Sequence, residues 1–305
     1  MITKIKKTSE FGKQTFHDKL FDVLNYSLVI IVLLIICYPI YFILIASFSD
    51  PDMVATGQVI LWPKGLSLRS YIKTFQYGDI WSGYLNSIIN TVFGTIISLA
   101  CTLPAAYALS RRDLPGGKLI MGLITFTMFF SGGLIPTYML VQNLHLYNTR
   151  TVLLLISAIS AYNLIIAKSF MSSNIPHELY EATQIDGGND FVFFLKVVLQ
   201  LSVPIISVLV LLYAVAQWNS YFNALIYIKD RALYPLQVIL RELLIQTENS
   251  AMMGGGNASS IAEARKLANM MKYSVIIVSS LPLLVVYGVV SKHFEKGMMV
   301  GAIKG

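Results

Sequence analysis

Uncharged, largely apolar runs recur along the chain at Ser27 to Phe48, Tyr84 to Leu109, Leu119 to Val141, Thr151 to Ala167, Leu201 to Ile228 and Tyr273 to Val290. An α-helix rises about 1.5 Å per residue and the hydrocarbon core is about 30 Å thick, so runs of this length predict six spanning helices. Lys4, Lys6, Lys7, Lys13 and Lys19 precede the first run like the basic region of a signal peptide. That run is too long for one and lacks a small-residue cleavage site, which predicts a retained anchor. Pro39, Pro104, Pro136, Pro204 and Pro282 fall inside the runs and predict local kinks, which neighbouring helices can accommodate.

Six spans put both termini on one side. The N-terminal lysines, Arg111, Arg112 and Lys118 after the second run, and Lys292, Lys296 and Lys304 at the end mark the cytoplasmic side. The segments 49–83 and 229–271 then lie outside, and 168–200 lies inside. Lys229, Arg231, Arg241, Arg265 and Lys266 in the long outside segment weaken the bias, but long loops carry little weight in it.

Composition agrees with a lipid solvent. The 305 residues are 55% hydrophobic and 13% charged, against roughly 25% charged in soluble domains, and mean hydropathy is +0.65. Too few charges remain to coat a water-facing surface, which excludes an ordinary soluble enzyme, a coiled coil or a disordered chain. The net charge of +7 is scattered, with no basic stripe for nucleic acid. Cys37 and Cys101, both in apolar runs, offer neither a disulfide framework nor a zinc site.

The motifs of enzyme chemistry fail in turn. Gly254-Gly255-Gly256-Asn257 has no Gly-Lys-Ser or Gly-Lys-Thr to hold phosphates, so no ATP hydrolysis is expected of this chain alone. His177-Glu178-Leu179-Tyr180-Glu181 begins like a zinc-protease helix but has Glu181 where the second histidine belongs. A nucleophile elbow is also missing. No cofactor, metal or catalytic residue is expected.

An ion-coupled carrier would bury a charge near the bilayer centre, and none of the six runs holds one. The fifth run instead ends in a polar and aromatic cluster, Gln217, Trp218, Asn219, Ser220, Tyr221, Asn223 and Tyr227. Two readings fit it: an interfacial aromatic belt or helix-packing residues, or a pathway wall in which Trp218, Asn219, Tyr221 and Asn223 meet the ring faces and hydroxyls of a sugar.

The inside segment has its own pattern. Pro176 is placed to open a helix, Leu179, Ala182 and Thr183 give it a small face, and Gly187-Gly188 stops it. A short helix with a small face at the membrane surface is suited to docking a partner.

Over this segment the chain resembles the permease subunits of binding-protein-dependent ABC importers, whose cytoplasmic loop carries a Glu-Ala-Ala stretch, a glycine, and a hydrophobic stretch ending near proline. Glu181, Ala182, Asp186, Gly187, Phe191, Phe194 and Pro204 fall on that pattern, while Thr183, Gly188 and Gln200 depart from it. The resemblance extends along the chain, to the smaller membrane subunit of maltose-type importers and the oligosaccharide permeases of Gram-positive bacteria. It is carried there by Ser47-Phe48-Ser49-Asp50-Pro51, the stretch from Ser131-Gly132-Gly133 to Tyr138, and an ending from Lys296-Gly297 to Gly305. It implies an all-α polytopic protein of six transmembrane helices with a cytoplasmic coupling helix, multi-pass in a bacterial cell membrane with both termini cytoplasmic. It further implies a docking site for a separate ATPase dimer at Glu178, Glu181, Ala182, Thr183, Asp186 and Gly187, with a second permease subunit and an extracellular substrate-binding lipoprotein as partners. A secondary transporter and a non-transporting membrane scaffold are the rival readings.

Overall fold

The computed structural model describes residues 16–249 and 269–288, and among them every regular element is helical. The lysines before residue 16, the Gly254 to Gly256 turn and the C-terminal ending lie outside the described residues. The chain divides into two units, one up to Ser70 and one from Tyr71 onwards.

The first unit is dominated by the helix Phe16–Ser47, which is apolar all round from Leu28 to Ile36 and buries only Ile45, Ala46 and Ser47 within the chain. In water such a surface would drive aggregation; in lipid it is the expected exterior. After it the chain folds back on itself: Asp50 N–H donates to the Lys64 carbonyl at 3.0 Å, Ser67 N–H to the Phe48 carbonyl at 2.9 Å, and Tyr38 OH to the Ile60 carbonyl at 3.1 Å. Asp50 caps the short helix Pro51–Ala55 through the Asp52 N–H at 2.9 Å, with Pro51 in the first turn where its missing donor costs nothing.

The second unit is built around the helix Gly78–Ser110, against which Arg150–Leu155, Ala161–Asn174, Val203–Trp218 and Leu236–Asn249 all pack. Its packing face is a row of small side chains, Gly83, Ser87, Asn90, Gly94, Ser98, Thr102 and Ala106, each buried. Between lipid-embedded helices little hydrophobic force acts, so association depends on close backbone approach, which such a row permits. Two glycines on it are occupied from outside. A Cβ at Gly83 would stand 2.5 Å from Ile239 Cδ1 and 3.0 Å from the Leu236 Cα, and one at Gly94 would stand 2.6 Å from Gln217 Nε2.

Both ends of this helix are tied by polar side chains. Toward Gly78, Arg150 donates to Asn86 Oδ1 at 2.6 Å and Asn90 Oδ1 at 3.3 Å, and Asn86 Nδ2 in turn donates to the carbonyls of Ala232 and Tyr234. Arg231 pairs with Asp79 at 2.7 Å and Glu242 at 3.3 Å, and these carboxylates hold its guanidinium above its ordinary pKa, Asp79 contributing most. Toward Ser110, Thr102 Oγ1 and Tyr213 OH lie 2.7 Å apart, and Tyr213 OH also accepts the Ser160 N–H at 3.3 Å.

Three helices, Phe16–Ser47, Gly78–Ser110 and Asn269–Gly288, are continuous, long and apolar enough to cross a membrane, and two bent pairs bring the number to as many as five. The apolar run from Leu119 to Val141 is a helix Gly117–Phe129 turned through 112° into Leu134–Asn143, at a break that contains Gly132 and Gly133 (φ +86°). The run from Leu201 to Ile228 is helical only as far as Trp218; it meets the preceding helix Asp190–Leu201 at 80° and gives way to the short helix Phe222–Tyr227. The run from Thr151 to Ala167 is interrupted between Leu155 and Ala161, and its second helix continues to Asn174. Apolar length alone does not report such breaks, because the freed backbone groups find partners in tertiary contact, as Ser160 does on Tyr213.

Candidate functional site

The segment 168–200 contains a two-and-a-half-turn helix, His177–Ile185, whose ends are set by local chemistry. Pro176 occupies the N-cap with extended backbone, Glu178 sits in the first turn where the helix dipole favours a negative charge, and Asp186 is the C-cap. The stop is a Schellman motif: Gly188 N–H donates to the Thr183 carbonyl at 2.8 Å and Gly187 N–H to the Gln184 carbonyl at 3.0 Å, with Gly187 at φ +77°. Nothing lies within 4 Å of where a Gly187 Cβ would be, so the demand for glycine there is purely conformational.

Tyr180 anchors the helix. Its ring lies 3.6 Å beneath the Arg111 guanidinium, meets Phe193 edge-on at 5.3 Å, and stacks with His177 at 5.8 Å, while its hydroxyl accepts from Gln184 Nε2 at 2.7 Å. Arg111 ends the central helix and pairs with Asp113 at 2.7 Å and Asp190 at 3.4 Å. The guanidinium holds the Asp113 carboxyl below the usual carboxylate range, so the pair is ionised near neutrality. One arginine therefore joins the central helix, the short helix and the start of Asp190–Leu201. Within that last helix, Phe194–Val198 is a π-helical stretch, and Tyr107 packs on Phe193 and Phe194.

The opposite face of the short helix is uncovered within the chain. Glu178, Glu181, Ala182, Asp186 and Gly187 are exposed, Thr183 is half-buried, and Ile185 is 86% exposed. An exposed isoleucine next to a small residue and a ring of carboxylates is a surface shaped for a partner. All six sequence-derived docking residues are thus brought together on one short helix and its cap. Arg111 and Tyr180 were missed: Arg111 reads in the sequence only as a topology signal, and no spacing links it to Tyr180 or Asp190.

The fifth-run cluster divides. Trp218 is buried, donates from Nε1 to the Ser279 carbonyl at 3.1 Å and meets Tyr84 edge-on, so it holds helices together. Asn223 turns the other way, its Nδ2 3.4 Å from Ser157 Oγ. Asn219 and Tyr221 line a groove between the helices Leu236–Asn249 and Asn269–Gly288, together with Gln237, Arg241, Lys272 and Ser280. No group of three or more metal-ligating side chains exists among the described residues.

Comparison with known proteins gives one consistent picture. The family described as "Binding-protein-dependent transport system inner membrane component" matches residues 80–300. The polygalacturonan/rhamnogalacturonan transport system permease protein YtcP of Bacillus subtilis is 40% identical over 94% of this chain and 99% of its own. Protein LplC of the same organism is 37% identical over 95% and 98%. A chain from the crystal structure of a bacterial ABC transporter involved in import of the acidic polysaccharide alginate superposes with a TM-score of 0.83 at 30% identity, covering 93% of this chain and 99% of that one.

Proposed function

Since this chain belongs to the family of binding-protein-dependent transport system inner membrane components, and is thus a permease subunit of an ABC importer with ATP hydrolysis in a separate subunit, we propose that it forms half of the translocation pathway for an oligosaccharide. The observation that carries this reading is the helix His177–Ile185, exposed on the face bearing Glu181, Ala182 and Ile185 and tethered by Tyr180 to the Arg111 end of the central helix. An ATPase subunit takes that face, and its ATP-driven motion reaches the membrane through the Arg111 junction. A second permease subunit completes the pathway, and an extracellular binding lipoprotein delivers the sugar. The substrates named for the relatives, polygalacturonan and rhamnogalacturonan for YtcP and alginate for the superposed transporter, put acidic oligosaccharides first.

The chain crosses the bacterial cell membrane six times, at about residues 27–48, 84–109, 119–141, 151–167, 201–228 and 273–290, some passes being broken helices, with both termini and residues 168–200 in the cytoplasm. Cysteine introduced at Asn174 should resist an impermeant thiol reagent added to intact cells, and cysteine introduced at Ala232, exposed beside Arg231, should react. Labelling at 174 from outside would reverse the topology and remove the ATPase dock.

Two of the three departures from the family loop pattern, Thr183 and Gly188, compensate each other. A Cβ at Gly188 would stand 2.6 Å from Thr183 Cγ2 and 3.0 Å from the Thr183 carbonyl oxygen, so the threonine methyl is the tightest of its obstacles. Gly188→Ala should loosen the helix stop by about 1–3 kcal/mol, the usual range for overpacking, and lower co-purification of the ATPase. Thr183→Ala with Gly188→Ala should restore it in part, since the methyl contact goes and the 3.0 Å carbonyl contact stays; a double variant no better than Gly188→Ala alone would show that the methyl contact is not what matters.

A further inference from the structure

The groove between Leu236–Asn249 and Asn269–Gly288 holds two cations, Arg241 and Lys272. Arg241 and Lys272 are both exposed, and among the described residues no carboxylate pairs with either. Glu242, next to Arg241 in sequence, turns to Arg231 at 3.3 Å, and Asp79 is taken by the same arginine. The Tyr221 ring lies 6.0 Å from the Arg241 guanidinium, and Asn219, Gln237 and Ser280 complete the polar lining.

Charged and amide side chains on membrane-associated helices do not face lipid tails; they face a partner, water or a ligand. Lys272 is in the first turn of its helix and Ser280 lies eight residues further, about 12 Å along the axis. The groove carries its cations, Arg241 and Lys272, on its two helices, with neutral polar groups set among apolar walls such as Leu244, Val275 and Ile276. A guanidinium binds a carboxylate in a bidentate fork, an ammonium adds a mobile second charge, and an aromatic ring offers its face to the C–H side of a pyranose. Amides and hydroxyls answer sugar hydroxyls. A lipid phosphate would use the cations but leave Asn219, Gln237 and Ser280 without a role.

We propose that this groove is a uronate subsite of the translocation pathway, in which Arg241 and Lys272 hold the carboxylate of an acidic sugar residue, Tyr221 stacks on its ring, and Asn219, Gln237 and Ser280 take its hydroxyls. The proposal rests on the oligosaccharide-import reading and adds to it where and by which charges this subunit recognises the cargo.

The test is uptake of trigalacturonate by the whole importer reconstituted in vesicles, with rates scaled to assembled complex. Arg241→Gln with Lys272→Gln should lower uptake at sub-saturating sugar by about tenfold or more, the loss expected for charge-assisted hydrogen bonds. The charge-preserving exchange, Arg241→Lys with Lys272→Arg, should fall between wild type and the glutamine pair, since both charges remain while the bidentate fork moves to the other helix. Wild-type uptake by the glutamine pair would overturn the subsite. So would an exchange variant as slow as the glutamine pair, since the side-chain shapes rather than their charges would then matter. Loss of wild-type uptake in uncharged phosphatidylcholine vesicles, with full uptake in anionic ones, would assign the cations to lipid instead and also overturn it. If the wild-type importer carries neutral trisaccharides but not trigalacturonate, the subsite falls while the sugar-import reading stands. If it carries no acidic or neutral oligosaccharide, that reading falls too.

Discussion

Ala182→Trp should abolish co-purification of the ATPase and reduce sugar uptake to background, while the permease itself is made and inserted at normal levels. Ala182 is exposed on the uncovered face of His177–Ile185, so an indole there meets nothing inside the chain and its whole effect falls on whatever docks against that face. Gly187→Val should act through the backbone instead. At φ +77° a β-branched residue is strained by about 1 kcal/mol or more, and with no atoms within 4 Å of the added Cβ no packing clash confuses the result. The helix stop should relax, Ile185 and Glu181 should lose their fixed orientation, and association should weaken rather than vanish. The pair of variants is read by pull-down of the ATPase with tagged permease and by uptake in cells. An Ala182→Trp permease that assembled and transported at the wild-type rate would sink the docking assignment and bring the scaffold reading forward.

Gly83→Leu should be the more damaging change to the permease itself. The site of its Cβ is 3.0 Å from the Leu236 Cα and 2.5 Å from Ile239 Cδ1, so a backbone, not a flexible side-chain end, must move. Displacing the helix Leu236–Asn249 also breaks the buried bond from Leu236 N–H to Ser87 Oγ at 2.8 Å and opens the cluster of Ile80, Trp218, Leu236 and Ile239. Overpacking of this kind costs about 1–3 kcal/mol and more when backbones collide, a large part of a membrane protein's margin. The expected result is a sharply lowered thermal midpoint in detergent and little permease in the membrane. Gly94→Ala supplies the graded comparison: its Cβ meets only the Gln217 side chain, at 2.6 to 3.0 Å, which can turn aside, so the loss should be smaller. Equal stability of Gly83→Leu and wild type in a fluorescence thermal-shift measurement would refute the packing role of the small row.

The row itself was present in the sequence, as small residues at steps of three and four from Gly83 to Ala106, and was legible to anyone reading that run for helix packing rather than for apolar length. The Arg111 junction was not legible in the same way. Tyr107 and Arg111 are one turn apart, but Tyr180 and Asp190 are some seventy residues away in sequence and come together only when Ala161–Asn174 packs on the central helix and returns the chain to its end. Likewise Trp218, Asn219, Tyr221 and Asn223 are neighbours in sequence, yet the helix end at Trp218 sends them to three surroundings: the core, the groove and the segment around Ser157.

What the sequence by itself determined was everything set by local or bulk physics. The all-α membrane class follows from composition and run length, because lipid demands apolar surface and internally bonded backbone. The limits of the short helix follow from Pro176 and Gly187, because missing N–H groups and missing Cβ atoms act within one turn. What only the tertiary structure decided was where helices break, which face of a polar cluster is buried, and which distant charges meet. At the helix break of residues 156–160 the Ser160 N–H is bonded by Tyr213, and among the described residues Arg241 pairs with no carboxylate while its neighbour Glu242 pairs with Arg231. Each of these outcomes depends on partners far along the chain, brought within a few ångströms by packing, and no local pattern encodes a partner's position.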